Sequence, residues 1–329
     1  MPLIEKVTAK VTCWSAKLLS YAGTGRVQLI KPVIFGVQAY WAQVFVLPKK
    51  VIKTIEQICR TFLWTGAITN SRKALVSWET VCKPQTAGGL NIIDLKLWNK
   101  AAILKQLWNI ARKKDCLWIQ WVHNYFIKNR GIETVTLPTA ASWVVRKILS
   151  KRDMIIPRQA GQGELMMEFA KAQKGGKFPT KKMYTYIMPT FPRVEWKSIT
   201  LQQGVNPRFK FILWLAVQKR LATVERLEKF GIQVPSECVF CGKTKETFEH
   251  LYFDCQVTKT LWGRLCNWMG IQRSIHDWRT EIAWISEIAK KKAGGAEIKT
   301  SVFVMIVYII WRERNKIRWT VLTRSLERL

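Results

Sequence analysis

The chain has 329 residues, 48% of them hydrophobic, and its 54 Lys and Arg against 22 Asp and Glu give a formal net charge of +32. That apolar content excludes a disordered tail and is enough for two or three packed units. The charge predicts a polyanionic partner, because self-repulsion on this scale opposes a compact monomer until it is neutralised.

The basic residues are dispersed between apolar positions, for example Lys49, Lys50, Arg112, Lys113, Lys114, Lys181, Lys182, Lys290, Lys291 and Lys292. A folded binding surface is therefore expected rather than a charged tail. Residues 1–31 are basic with a single acid, Glu5, and could imitate a mitochondrial presequence. The dense apolar pattern through Trp14, Leu18, Leu19 and Leu29 favours an integral helix instead.

Pro48 suits the first turn of a helix with the apolar face Val51, Ile55, Ile58, Phe62 and Leu63, stopped at Gly66. Asp94 can cap a helix carrying Leu97, Ala101, Leu104, Trp108 and Ala111, and Asp115 can cap the next, ended by Gly131. Residues 1–131 are expected to form an antiparallel helical bundle. Between 132 and 192 the pattern weakens, with Pro138, Pro157, Gly161, Gly163, Gly175, Gly176, Pro179, Pro189 and Pro192 interrupting it, which predicts an irregular linker with short helices. Residues 193–329 read as a second unit: a helical pair over 209–230, a Cys/His segment, and two closing helices. The expected fold class is mainly α, a helical bundle followed by a small zinc-knuckle unit with flanking helices.

The Cys/His segment has the spacing Cys238-x2-Cys241-x8-His250-x4-Cys255, with Gly242 after the second cysteine. A tetrahedral zinc ion needs four soft or borderline donors gathered by tight turns, and this spacing supplies them, with His250 and Cys255 expected one helical turn apart. All four positions are protein ligands, so one structural zinc without an open coordination position is expected. Cys13, Cys59, Cys82 and Cys116 are isolated, and with no secretory signal a reducing intracellular compartment is expected, nucleus or cytoplasm ahead of mitochondrion. Cys266, on a stripe with Trp262, Leu265 and Trp268, reads as core, and His123 and His276 as isolated histidines.

The 17 tryptophans invite base stacking, but Trp64, Trp98, Trp108, Trp118, Trp214, Trp262 and Trp311 fall in apolar helical stripes and are assigned to packing. The stretch 302–311 is about half the ~20 residues a bilayer requires and ends in Arg312-Glu313-Arg314, so no membrane span is expected. Two-metal nucleotidyl transfer needs clustered carboxylates, yet the five aspartates Asp94, Asp115, Asp153, Asp254 and Asp277 are scattered. There is also no Gly-rich phosphate loop and no nucleophile triad, so no catalytic residue and no small-molecule substrate are expected.

Two ordered series of motifs resemble the C-terminal part of reverse transcriptases from plant LINE-type non-LTR retrotransposons. The first runs from Trp14-Ser15-Ala16-Lys17-Leu18-Leu19-Ser20-Tyr21-Ala22-Gly23 and Gly25-Arg26-Val27-Gln28-Leu29-Ile30 through Leu47-Pro48 and Phe62-Leu63-Trp64-Thr65-Gly66. It continues with Trp78-Glu79-Thr80-Val81-Cys82-Lys83-Pro84, Gly88-Gly89-Leu90-Asn91-Ile92 and Asn99-Lys100-Ala101-Ala102. The second comprises Lys210-Phe211-Ile212-Leu213-Trp214, Arg220-Leu221-Ala222-Thr223, the four Cys/His positions, Glu246-Thr247-Phe248-Glu249-His250-Leu251, and Trp311 with Arg314-Asn315.

The resemblance implies a thumb and connection-like region over 1–131 and a reverse-transcriptase zinc-binding domain over 193–329. Departures include the inserted Thr24-Gly25, Gln85 for a usual lysine and Asn91 for a usual glycine. No residue here matches the family's palm aspartates. The implied partner is RNA or an RNA–DNA duplex; the charge itself predicts affinity that falls steeply with salt, with Lys49, Lys50, Arg208, Lys210, Lys243 and Lys245 as the candidate contacts. A structural role among ribonucleoprotein subunits, as in a ribosomal assembly, or a place as a non-catalytic part of a split reverse transcriptase, are the alternatives.

Overall fold

Helical periodicity governs the architecture of the computed structural model, which describes residues 2–13, 23–42, 46–67, 71, 74–128, 130–136, 139–156, 163–291 and 294–326. Trp14, Leu18 and Leu19, and most of the motif around them, lie outside the described residues, as do Pro138, Pro157 and Gly161. The chain is mainly α; among the described residues the only β pairing is two isolated bridges, Lys174 with Lys177 and Glu237 with Lys245.

Helices α1 (Pro2–Cys13), α2 (Gly23–Gly36) and α3 (Lys49–Thr65) bury Val7, Ile30, Ile34, Ile55 and Phe62 in a common core. Pro48 caps α3 with extended backbone, and Gly66 ends it at φ 73°, donating its N–H to the Phe62 carbonyl. After the short α4 (Trp78–Cys82), helix α5 (Leu95–Ala111) is buried over most of its length because elements cover it on several sides. The Asp94 carboxylate caps α5, accepting from the Leu97 N–H at 2.9 Å. Buried Asn99 accepts from the Leu47 N–H at 3.1 Å and donates to the Ala42 carbonyl at 3.0 Å, tying the incoming loop to the helix.

The next helix departs from expectation. Helix α6 (Leu117–Val122) is capped by Cys116 in extended conformation, while Asp115 accepts instead from the Gln120 amide at 3.0 Å. Because Cys116 occupies the cap position, the Asp115 carboxylate sits one residue upstream of where it would serve the first helical N–H groups. The helix runs on through a wider π turn (His123–Ile127) and stops at Lys128, short of Gly131.

Helices α7 (Trp143–Leu149), α8 (Glu164–Ala172) and α9 (Thr180–Ile187) follow, all packed on α5. Then come α10 (Lys197–Leu201), α11 (Pro207–Val217) and α12 (Val224–Glu228), the Cys/His segment, and three helices where two were expected: α13 (Gln256–Trp268), α14 (Trp278–Lys290) and α15 (Gly294–Leu326). Cys266 and Trp262 are buried as read, but Trp268 is 74% exposed. Six residues beyond Trp262, it lies about 240° round the helix and cannot share that stripe. No described helix is long and apolar enough to cross a membrane.

The two motif series meet at one turn. Gly88 at φ 83° presents its carbonyl to the Trp214 indole N–H at 2.8 Å, joining the Gly88-Gly89-Leu90-Asn91 turn to α11. A Cβ on Gly89 would stand 1.9 Å from the Lys83 carbonyl oxygen, so only glycine fits there. Asn91 has φ 54°, a left-handed conformation that asparagine tolerates, which accounts for its use where glycine is usual.

Candidate metal centre and nucleic-acid interface

Two turns gather the four Cys/His side chains. In the first, the Gly242 N–H donates to the Cys238 carbonyl at 2.8 Å, with Gly242 at φ 64°. The Cys238 N–H donates to the Thr244 carbonyl and the Glu246 N–H to the Ser236 carbonyl, both at 2.8 Å, closing a miniature hairpin. Helical geometry does not connect the second pair, contrary to the expectation of one helical turn between His250 and Cys255. Tyr252 (φ −108°, ψ 91°) and Phe253 (φ 80°) leave helical space, and the Cys255 N–H donates to the His250 carbonyl at 2.8 Å. Cys255 is then the N-cap of α13. The left-handed Phe253 is held in an aromatic nest with Trp262, Trp278 and Phe303, whose burial offsets the strain.

The donor atoms of Cys238, Cys241, His250 and Cys255 all lie within 4.8 Å of one another, and the Cys241 Sγ is 3.3 Å from His250 Nε2. Tetrahedral zinc places sulfur ligands roughly 3.8 Å apart, so three thiols and an imidazole at these separations fit one ion. The Lys243 backbone N–H, with the His250 and Thr244 side chains, lowers the Cys241 thiol to about 6, whereas burial pushes Cys238 up to about 11. Cys238 and Cys255 are buried, and Cys241 and His250 are half-buried. The centre is a structural zinc site of the Cys3His type, and zinc supplies folding energy at such a site.

A buried charge cluster fixes this knuckle to the last helix. Glu246 is fully buried; its carboxylate accepts from Arg314 Nε at 3.0 Å and Nη2 at 2.6 Å, and from Arg318 Nη2 at 2.8 Å. It also accepts from the Val224 N–H at 3.1 Å. Arg318 further donates to the Pro235 and Glu237 carbonyls, directly beside Cys238. Glu246 and Arg314 both fall in the motifs read from the sequence, but Arg318 does not. The signal that could have found it is the four-residue spacing Arg314/Arg318, which puts two guanidiniums on one helix face.

The six basic candidates occupy three separate elements. Lys49 and Lys50 open α3 and are exposed. On α11, Arg208 is half-buried with its guanidinium 5.2 Å from the Tyr308 ring centre. Lys210 is also half-buried; burial lowers its ammonium below the ordinary lysine range, and it shares a cavity with Lys31, Gln85 and Trp214. Lys243 and Lys245 flank the knuckle, Lys243 exposed and Lys245 paired with Glu228 at 2.7 Å. Of the packing tryptophans, Trp98, Trp108, Trp214 and Trp262 are buried, while Trp64, Trp118 and Trp311 are half-buried against the core.

Comparison with known proteins agrees with the site. Residues 178–262 match a family described as zinc-binding in reverse transcriptase. The chain is 33% identical over 116 residues to a putative ribonuclease H protein of Arabidopsis thaliana, across 35% of this chain and 18% of that one. It is 23% identical over 117 residues to an uncharacterized mitochondrial protein of the same plant, across 35% of this chain and 76% of the relative. The chain thus spans less than a fifth of the first relative's length. It carries a zinc-binding domain of the reverse-transcriptase kind, and the resemblance to the C-terminal region of retrotransposon reverse transcriptases holds.

Proposed function

We propose that this chain is a non-catalytic, zinc-containing nucleic-acid-binding protein derived from a retroelement reverse transcriptase, with RNA or an RNA–DNA duplex as its ligand. The observation that carries the reading is a net charge of +32 on a folded, zinc-organised body. In this reading Cys238, Cys241, His250 and Cys255 hold the ion, the thumb-like span 1–131 grips phosphates, and the span 193–329 is ordered beside it by the knuckle. Lys49, Lys50, Arg208, Lys210, Lys243 and Lys245 contact the backbone of the nucleic acid.

The non-catalytic part is supported by what the aspartates do. Asp94 and Asp277 cap helices, Asp115 accepts from Gln120, Asp153 pairs with Arg152 at 3.2 Å, and Asp254 closes the His250–Asp254 turn, so the five stand on different elements. The test is binding of the zinc-loaded protein to single-stranded RNA, hairpin RNA and duplex DNA across a salt series. Tight, hairpin-preferring binding near physiological salt supports the proposal. Equal, salt-labile binding to every polymer reduces the charge to nonspecific attraction and defeats it.

A further inference from the structure

We infer that a basic groove at the C-terminal end of α5, apart from the six lysines and arginines named above, holds a single-stranded polynucleotide. This rests on the nucleic-acid-binding reading and specifies where an unpaired segment of that ligand lies, such as the loop or flank of a hairpin. Two cavities of about 780 and 720 Å³ adjoin there and share Lys113 and Lys114. Lys105, Arg112 and Lys177 line the first, and Lys128 lines the second. Among the described residues none of the five lysines is in an ion pair, and the acid lining the groove, Asp115, is engaged by Gln120. Arg112 is fixed over the Trp108 ring at 4.9 Å and donates to the Gly176 carbonyl at 2.9 Å, so its charge is held at the wall.

The backbone is shaped around these charges. Helix α5 ends in a Schellman turn, the Lys114 N–H donating to the Asn109 carbonyl and the Lys113 N–H to the Ile110 carbonyl, both at 3.0 Å. The left-handed position of that turn ordinarily takes glycine, yet Lys113 occupies it at φ 50°. Lys219 ends α11 in the same way, but it pairs with Glu249, an internal reason that Lys113 lacks.

Beside the groove-lining Gln120 and Asn124, the rings of Trp121 and Tyr125 are 40% and 66% exposed with centroids 5.8 Å apart. A row of unneutralised cations next to an exposed aromatic step is the combination that binds unpaired strands, phosphates on the lysines and bases on the rings. Two joined cavities exceed what a lone phosphate would fill. A duplex keeps its bases stacked internally and gains nothing from the aromatic step.

The test uses the full-length zinc-loaded protein, fluorescent oligo-uridine and a blunt duplex of equal charge. The variants are Lys113→Gly alone, Lys113→Gly with Lys114→Ala and Lys128→Ala, and Tyr125→Leu alone. The triple variant is expected to lower the slope of log affinity against log salt for oligo-uridine by about 2, at ~0.7 for each phosphate no longer neutralised. Tyr125→Leu is expected to weaken oligo-uridine several-fold while leaving the duplex unchanged. Lys113→Gly alone is expected to melt no lower than wild type, since it relieves the left-handed lysine, so a binding loss there is not a folding loss. Wild-type binding with unchanged slopes in the triple variant would overturn the groove alone. Equal losses for oligo-uridine and duplex would overturn its single-strand character, and absence of wild-type binding to any polymer would overturn both this inference and the reading beneath it.

Discussion

Glu246→Ala removes the carboxylate that stands between Arg314 and Arg318, which are 1% and 3% exposed. The two guanidiniums cannot turn to water without moving α15 off the knuckle. Breaking a buried pair by deleting one partner costs about 3–5 kcal/mol, and the orphaned Val224 N–H adds roughly 1–3 kcal/mol. If the chain melts as one unit, the ion-pair part alone lowers Tm by about 4–7 °C, taking ~2.1 cal/mol/K of unfolding entropy per residue. Circular dichroism melting at fixed zinc measures this, and a colorimetric zinc-release assay shows whether the knuckle loosens with it. A companion variant, Glu246→Leu with Arg314→Met and Arg318→Leu, removes all three charges and should recover part of the loss, because a buried triad is costly to desolvate. Recovery should be incomplete, since Arg318 also holds the Pro235 and Glu237 carbonyls. A Glu246→Ala protein that melts within a degree of wild type and keeps its zinc would refute this account of how the knuckle is anchored.

Further outcomes follow from other sites. Burial, and next to it the charge of Asp94, raises the Glu56 carboxyl from 4.5 to about 7. The folded chain therefore binds the extra proton between those values, so this group's contribution to stability is greatest below about 4.5 and is lost as pH rises to about 7. Glu56→Gln should flatten that part of the urea-unfolding profile and be the more stable protein at pH 8; a parallel profile would contradict the assignment. Cys13 and Cys116 are exposed whereas Cys59 is buried with its thiol pushed up to about 12. Iodoacetamide followed by mass spectrometry should label the first two in the native zinc-loaded protein, spare Cys59, and reach Cys238, Cys241 and Cys255 only after chelation. Gly89→Ala sets a Cβ against the Lys83 carbonyl and should disrupt the turn that receives Trp214, seen as a red-shifted tryptophan emission and a lower Tm.

The sequence was most legible where local chemistry decides structure. Pro48, Gly66 and Asp94 mark the ends of α3 and α5 because caps and stops depend on a few adjacent backbone groups. The Cys/His spacing was legible for the same reason: tight turns bring those donors together with little help from elsewhere. What stayed hidden depends on three-dimensional neighbours. Phe253 takes a left-handed conformation only because Trp262, Trp278 and Phe303 enclose it, and no residue type at 250–255 announces that. Asp115 looked like a cap because Asp usually caps, but Cys116 holds the position. The pairing of Glu246 with Arg318 spans 72 residues, and the groove at Lys113 depends on Lys177 arriving from a distant segment, relations that periodicity does not encode.

The most direct test of the central claim is the affinity of hairpin RNA for the same preparation before and after zinc removal, at near-physiological salt. Zinc-organised binding predicts that the loaded protein binds tightly, that chelation abolishes the preference for the hairpin together with part of the helicity, and that restored zinc returns both. Hairpin affinity and helicity indifferent to the metal would contradict the claim that the knuckle organises a nucleic-acid-binding surface.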